Sequence, residues 1–251
     1  MIDLSILLPA FFTGLLVLLT HVPLGQRVLQ RGIIFIDLAL AQIAGLGLII
    51  AFVFGFEPHG YGVQIVAVFS ALLGAIVLYS LERKFSQIQE ALIGIVFVLA
   101  AAAVILLTSH QPQGAHEVET LLSGQILWVN YKQLIPVAIV YMFVIVLWFI
   151  PLWKSQRFKF YILFALAVTA SVQLIGIYLV FASLIIPALA IRNIKKYALL
   201  TGYVIGMLGY ALGILGSAIF DLSTGPLIIW ALFIVAGLYL LFSSVAGISK
   251  S

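Results

Sequence analysis

Cysteine is absent from the 251-residue chain, and charged residues are scarce. The absence of cysteine excludes disulfides and thiolate metal sites, and it leaves the redox compartment undetermined. Only 8% of residues are charged while 65% are hydrophobic, which is too little polar surface for a soluble protein. An α-helix needs ~20 apolar residues to cross ~30 Å of hydrocarbon. Apolar runs of about this length occupy 33–54, 63–81, 91–108, 134–152 and 198–220.

The N-terminus has neither a basic region nor a small-residue cleavage site, so residues 6–20 are predicted to be a retained helix rather than a signal peptide. We therefore predict an all-α fold, a polytopic membrane helix bundle. Its short loops leave little room for a soluble module, so residues 1–251 are predicted to form a single transmembrane domain.

Several functional motifs are also missing. The chain has no P-loop to bind nucleotide, and its predicted spans contain no Ser-His-Asp, H-E-x-x-H or haem-ligand arrangement that indicates an enzyme. A transporter built from this chain would need either ion coupling or a separate ATPase. The net charge of +4 comes mostly from Lys and Arg in the loops. The positive-inside rule explains such an excess, so the charge does not indicate nucleic-acid binding.

The charges in the connections predict a topology. The loops with acidic residues, around residue 55, over 109–133 and around Asp221, are expected outside, so the N-terminus lies outside and the C-terminus in the cytoplasm. Basic residues, which are expected on the cytoplasmic side, form short clusters: Arg27 and Arg31; Arg83 and Lys84; Lys154, Arg157 and Lys159; Arg192, Lys195 and Lys196; and Lys250 at the C-terminus.

The segment between Arg157 and Arg192 must leave the cytoplasmic side and return within about 34 residues. Two full spans need about 40 residues at 1.5 Å per residue. Gly176 lies near the middle, and a buried break there predicts two short helices, roughly 160–175 and 177–190. The alternative is one long tilted helix with an inverted topology. With the short pair, the chain has about nine crossings.

Asp37 is the most informative polar residue. It lies about one turn inside the cytoplasmic end of the second predicted helix, and Ala41 and Gly45 follow on the same face. A carboxylate beside such a small-residue groove can pass a cation through the membrane. Alternatively, Asp37 pairs with Arg31 or caps a nearby helix end. Gln42 lies on a different face, roughly 140° away.

The outer loop SHQPQGAHEVETLLSG contains His110, His116, Glu117 and Glu119 within ten residues. Imidazole and carboxylate are suitable ligands for zinc or manganese. The spacing matches no self-contained metal motif, so a transient entry site or a surface that docks a carrier is favoured over a tight structural site.

Five glycines recur at spacings of four, three, four and three residues in the eighth predicted crossing. They form one helical stripe that lets another backbone approach closely, either within the chain or in a second subunit. These residues are Gly202, Gly206, Gly209, Gly213 and Gly216.

The segment IIPALAIRNIKKYALL combines a proline, a short amphipathic helix and three cations in a predicted cytoplasmic loop. Pro187 would end the preceding short helix or begin the next one. A basic helix of this kind either lies against anionic lipid headgroups or inserts into a soluble partner. The composition does not choose between these two roles.

Several segments together resemble the permease subunits of bacterial zinc/manganese-type ABC importers. The matches follow the order of that family over nearly the whole chain, and the ordered set is more specific than any single match. They are RGIIFIDLALAQIAGLG, EALIGIVFVLAAAAVILL with LLSGQILWV, GIYLVFASLIIPALAIRN, and DLSTGPLIIWAL.

This resemblance implies a type II ABC importer-like permease in the bacterial cell (inner) membrane, a homodimer with a pathway along its two-fold axis. Two cytoplasmic ABC ATPase subunits would drive it, an extracytoplasmic metal-binding protein would deliver the ion, and the only metal would be the transported one. Asp37 matches the acidic position associated with metal passage. Familiar members often have His four residues later, where this chain has Ala41. Independently of the resemblance, we expect the outer His110, His116 and Glu117 to compensate for that missing ligand.

The resemblance also implies that residues 187–197 form a coupling helix seated in the ATPase, with Pro187, Arg192, Asn193, Lys195 and Lys196 as its contact residues. Two rival functions remain open. A permease for metal chelates such as siderophores or cobalamin has a similar architecture but is usually longer. An ion-coupled secondary transporter would need more buried ionisable groups than this chain has.

Overall fold

The computed structural model describes residues 4–57, 60–109, 111, 113–150 and 155–245, and no strand occurs among them. The all-α prediction is confirmed. The α-helices of this part of the chain are α1 (Leu4–Arg31), α2 (Ile36–Val53), α3 (Tyr61–Lys84), α4 (Gln89–Thr108), α5 (Gly114–Ser123), α6 (Tyr131–Phe149), α7 (Gln156–Ala190), α8 (Ala198–Phe220) and α9 (Thr224–Val245).

Eight helices of the described chain are long and apolar enough to cross a membrane, and only α5, with ten residues, is too short. Helices α4, α6 and α9 leave most of their apolar side chains unburied within the chain. A helix that is apolar on all sides and only partly covered by its own protein is typical of contact with lipid. The chain is therefore a multi-pass membrane protein.

Helix α7 is broken at Gly176. It is 35 residues long, and a straight helix of that length would extend about 52 Å, far more than the ~30 Å of hydrocarbon. Gly176 has φ 76° and ψ 165°, which are not helical, and helical backbone continues on both sides of it. The predicted break at Gly176 is confirmed, although the first segment begins at Gln156 rather than near residue 160. The crossing of the membrane by both segments stays a prediction.

Close backbone packing surrounds this break. A Cβ atom on Gly176 would lie 2.7 Å from both the Cα of Gly124 and the carbonyl carbon of Ser123. Gly124, with φ 69°, has equally little room because its own Cβ would overlap the carbonyl group of Ile175. At the start of α9, a Cβ on Gly225 would lie 2.5 Å from the Ser123 oxygen. Glycine is therefore required where the end of α5 meets the break in α7.

The described chain folds into two compact units. Unit 1 comprises the described parts of 1–32, 123–138 and 174–251, and unit 2 comprises those of 33–122 and 139–173. Helices α6 and α7 contribute residues to both units. The prediction of a single transmembrane domain stays a prediction.

In unit 1, α8 packs against α1 and α9 through its glycine stripe. Four of the five glycines approach a side chain or backbone so closely that a Cβ atom would not fit, whereas Gly216 has no described atom within 4 Å of that position. The neighbours are Val22 and Ile191 for Gly202, Leu18 for Gly206, Leu232 for Gly209 and Ile228 for Gly213.

In unit 2, α2 packs between α3 and α4. Small residues bring α2 and α3 together: a Cβ on Gly47 would lie 2.6 Å from the Ser70 hydroxyl oxygen, and one on Gly74 would lie 2.6 Å from Ile43. At the start of α4, the amide of Gln89 donates a 2.7 Å hydrogen bond to the buried hydroxyl of Tyr161. Close packing of small residues and satisfied polar groups are what hold helices together in lipid.

The prediction that residues 187–197 form a separate helix is wrong. Pro187 lies inside α7, which continues to Ala190, and residues 191–197 form turns and irregular backbone. Proline removes one N–H donor, but its carbonyl still accepts the N–H of Ile191 at 3.2 Å, so the last turn persists. The next helix begins only after Tyr197, whose φ of 61° is not helical.

Candidate metal pathway

Asp37 lies in the first turn of α2, and its side chain is completely buried. Neither carboxylate oxygen has a hydrogen-bond partner among the described residues. A role in pairing or capping would give at least one oxygen a partner, so the geometry does not favour that alternative. Buried polar groups are nearly always hydrogen-bonded, and an isolated buried carboxylate is costly. Asp37 is therefore a buried carboxylate whose oxygens the described residues leave without a hydrogen-bond partner.

The small residues predicted beside Asp37 share its burial. Ala41 and Gly45 follow one and two turns later on the same face of α2, and both are buried within the chain. At Gly45 the face predicted to form a groove is covered by α5, because a Cβ on Gly45 would lie 2.7 Å from Cδ2 of Leu121. Leu121 therefore covers that face of α2 two turns from Asp37.

Gln42 is the other buried polar residue of α2. It is 3% exposed, and its Oε1 has no hydrogen-bond partner within the described chain. Its position five residues after Asp37 places it on a different face of the helix, as the sequence predicts. Gln42 therefore does not share one binding position with Asp37.

Glu90, in the first turn of α4, is a polar residue of this region that sequence reasoning missed. Its Oε1 accepts the backbone N–H of Phe35, the N-cap residue of α2, at 3.0 Å. Its Oε2 is buried and has no hydrogen-bond partner in the described part of the chain. The one available signal was an acidic residue at the start of a strongly apolar run. The contact itself joins residues 55 positions apart.

The predicted outer ligands are not gathered around Asp37. His116 is exposed and Glu117 is half-buried, and both lie on α5, while His110 lies outside the described residues. No group of three or more His, Cys, Asp or Glu side chains that could hold a metal ion occurs in the described ranges. The described side chains therefore do not by themselves bring three such ligands together.

The connection between α7 and α8 carries a cluster of exposed polar side chains. Pro187 is buried in α7. The Lys196 ammonium lies over the ring of Tyr197, 5.1 Å from its centre. A short exposed basic loop is suited to contact an acidic surface or lipid headgroups. The exposed residues are Arg192, Asn193, Lys195 and Lys196.

The chain is similar to known proteins in both sequence and fold. Over 248 residues the chain is 25% identical to the high-affinity zinc uptake system membrane protein ZnuB of Haemophilus influenzae, covering 90% of this chain and 93% of that protein. The structure of PsaBC from Streptococcus pneumoniae in complex with Fab has a TM-score of 0.75 at 20% identity, covering 96% of this chain and 91% of that chain.

An inward-facing structure of a metal-chelate type ABC transporter is also similar, with a TM-score of 0.67 at 20% identity over 94% of this chain and 85% of that chain. The ABC 3 transport family matches residues 3–157 and 153–245, which is nearly the whole sequence. These matches confirm the family resemblance that the ordered motifs indicate. The chain therefore belongs to the ABC 3 transport family.

Proposed function

We propose that the chain is the permease of an ABC importer that carries divalent metal ions, zinc or manganese, across the membrane. The family supports a role in transport, and the Haemophilus influenzae relative is named for zinc uptake. The observation that carries the proposal is Asp37, a fully buried carboxylate with no partner for either oxygen among the described residues. A divalent ion cannot enter hydrocarbon bare and needs such ligands along its path.

The site is suited to passage rather than storage. One deep carboxylate per chain is too few ligands for tight binding, and a tightly held ion would not leave. A second copy of the chain would bring a second Asp37 to a shared path along a two-fold axis. Because Ala41 offers no imidazole, the buried donors of α2 are oxygens, which suit manganese better than zinc.

The proposed complex includes three kinds of partner. Cytoplasmic ABC ATPase subunits would contact the exposed loop after α7 through Arg192 and Lys195, and they would hydrolyse the ATP. An extracytoplasmic metal-binding protein would dock on the side of α5, where His116 is exposed. The permease would lie in the inner membrane of a bacterial cell, with its N-terminus outside and its C-terminus in the cytoplasm. No permanent cofactor is required, because the metal is the cargo.

Metal-dependent growth tests the proposal. The permease, its ATPase and its binding protein are expressed in a strain that lacks its own importers, and growth is compared at limiting zinc and at limiting manganese. Asp37→Asn, which keeps the side-chain shape and removes the charge, is expected to abolish rescue at an unchanged membrane level of the protein. Asp221→Asn is the matched control because Asp221 is exposed. Normal growth with Asp37→Asn would remove Asp37 from the mechanism.

The same strain separates the rival functions. Rescue by free ions but not by siderophores or cobalamin supports an importer of metal ions, whereas rescue only by chelates supports a chelate permease. Loss of rescue when the ATPase is inactivated supports an ABC importer. Rescue that persists without ATP hydrolysis would instead identify an ion-coupled secondary transporter.

A further inference from the structure

An apolar cleft lies between the start of α2 and the first half of α4. It encloses about 520 Å³, and every residue that lines it is apolar, including Phe35 and Leu38 on α2 and residues 91–99 in part on α4. Gly94 leaves it open, because no described atom lies within 4 Å of the position of a Cβ there. Since α4 leaves most of its apolar side chains unburied within the chain, this α2–α4 cleft faces lipid.

The length of the α2–α4 cleft matches one leaflet of a bilayer. The two helices begin side by side, since the backbone N–H of Phe35 donates to Oε1 of Glu90 at 3.0 Å. From Ala91 to Leu99, α4 rises about 12 Å at 1.5 Å per residue, which is close to half of the ~30 Å of hydrocarbon. A cleft that starts near the helix ends and reaches toward the middle of the bilayer has the depth of one acyl chain.

A lipid chain fits this cleft better than a second copy of the protein does. A two-fold interface pairs a surface patch with the same patch on its partner. Two copies of a concave cleft would therefore face each other and leave both unfilled. A metal ion is equally unsuited, because no polar side chain lines the cleft.

The headgroup must select the lipid, because bulk lipid tails are as apolar as the cleft itself. Lys84 ends α3, and its ammonium lies 5.4 Å from the centre of the Phe85 ring. The carbonyl of Phe85 accepts the N–H of Ile88 at 3.1 Å, which forms the turn that leads into α4. Ile88 precedes Ala91, the first cleft residue of α4, by about one turn. This turn therefore holds Lys84 near the mouth of the α2–α4 cleft.

The charges at this end of the helices favour an anionic headgroup. Lys84 is exposed and forms no ion pair with a described residue, whereas the nearby carboxylate of Glu90 already accepts the Phe35 N–H. Arg83 adds a second exposed positive charge, with its guanidinium 5.9 Å from the centre of the Tyr79 ring. Basic side chains beside clefts between membrane helices are suited to bind lipid phosphates.

We propose that the α2–α4 cleft holds one acyl chain of an anionic phospholipid, with the lipid phosphate on Lys84. The acyl chain fills the open space beside Gly94, and it covers the side of α2 that Phe35 and Leu38 present to the membrane. The phosphate balances the positive charge at the end of α3. This inference does not depend on the ion that the permease carries.

Two substitutions separate the cleft from the headgroup contact. Gly94→Leu places a side chain in the open part of the cleft, and Gly237→Leu in α9 is its matched control, because the Cβ position of Gly237 is equally open. Lys84→Gln removes the positive charge and keeps most of the side-chain length. Its control is Lys132→Gln, which removes the charge of an exposed lysine in the first turn of α6.

The assay is photocrosslinking of the purified full-length chain in phosphatidylcholine vesicles that contain a small amount of phosphatidylglycerol with a diazirine in its acyl chain. A phosphatidylcholine probe with the same acyl chains is used in parallel, and mass spectrometry locates the crosslinked residues. We expect the phosphatidylglycerol probe to label residues 91–99 in preference to the other lipid-facing residues. The phosphatidylcholine probe should label them more weakly.

The two variants should lower this labelling to different extents. We expect a fall of about tenfold in Gly94→Leu, because the acyl chain would have to overpack a filled cleft. We expect a fall of about fivefold in Lys84→Gln, as for the loss of one lysine beside an anionic lipid. The controls Gly237→Leu and Lys132→Gln should label as the wild type does.

Equal labelling of residues 91–99 by the two probes would overturn the inference and leave the cleft as ordinary lipid-facing surface. Wild-type labelling in both Gly94→Leu and Lys84→Gln would overturn it for the same reason. Absence of labelling between residues 91 and 99 by either probe would also overturn it, because a second copy of the chain or another protein would then cover the cleft.

Discussion

Replacing Gly176 by alanine tests the break in α7 directly. Gly176 has φ 76° and ψ 165°, a backbone conformation that is essentially restricted to glycine. The added methyl group would also meet backbone atoms, since its carbon would lie 2.7 Å from both Gly124 Cα and the Ser123 carbonyl carbon. Backbone atoms held by two neighbouring elements cannot move aside as the end of a flexible side chain can.

The two costs add. An alanine in this conformation is strained by about 1–3 kcal/mol, and forcing a methyl group into a packed contact costs about 1–3 kcal/mol more. We therefore expect Gly176→Ala to lower the free energy of unfolding by about 4 kcal/mol. For a chain of this size that corresponds to a fall in Tm of about 10 °C.

The assay is thermal unfolding of the purified permease in detergent at one scan rate. Gly94→Ala is the matched control, because Gly94 lies within helix α4 and has no described atom within 4 Å of its Cβ position. Alanine is favoured over glycine inside a helix by about 0.5–1 kcal/mol, so this variant should unfold at the wild-type temperature or slightly above it. A Gly176→Ala protein as stable as the wild type would refute the account of the break.

Two further substitutions test the partner surface and the closed groove. Arg192→Glu should weaken binding of the ATPase by about tenfold in Kd, or about 1.4 kcal/mol, and so lower its copurification. The control Lys132→Glu, in the predicted outer connection, should leave the copurification unchanged. Equal yields from both variants would exclude the loop after α7 as the contact. Leu121→Ala should uncover the groove, so that a cysteine introduced at Ala41, unique in a chain without cysteine, reacts faster with a water-soluble thiol reagent. Unchanged labelling would show that Leu121 does not close the groove.

The membrane helices could be predicted from the sequence because their signal is local. Apolar runs at 33–54 and 198–220 correspond closely to α2 and α8, since ~20 apolar residues in a row have few other uses. The break at Gly176 was also predictable, because too few residues separate two basic clusters and a glycine lies near the middle. Length and charge distribution were sufficient for both.

What depends on contacts between distant residues could not be predicted. Helix α5 is ten residues of mixed polarity in the connection between α4 and α6, and the residues that hold it, such as Gly45 against Leu121, come from another helix. The contact of Glu90 with Phe35 has no sequence pattern, because it joins two helix starts far apart in the chain. The predicted helix over 187–197 is wrong because proline favours a helix boundary, whereas α7 tolerates Pro187 in its last turn.

The central claim is that the buried carboxylate of Asp37 carries the metal ion. The most direct measurement is ATP-driven accumulation of Mn²⁺ and Zn²⁺ in proteoliposomes by the complete complex, with wild-type permease or Asp37→Asn. The account predicts accumulation by the wild type and background levels with Asp37→Asn, with equal amounts of ATPase bound to both. Accumulation at the wild-type rate with Asp37→Asn would contradict it.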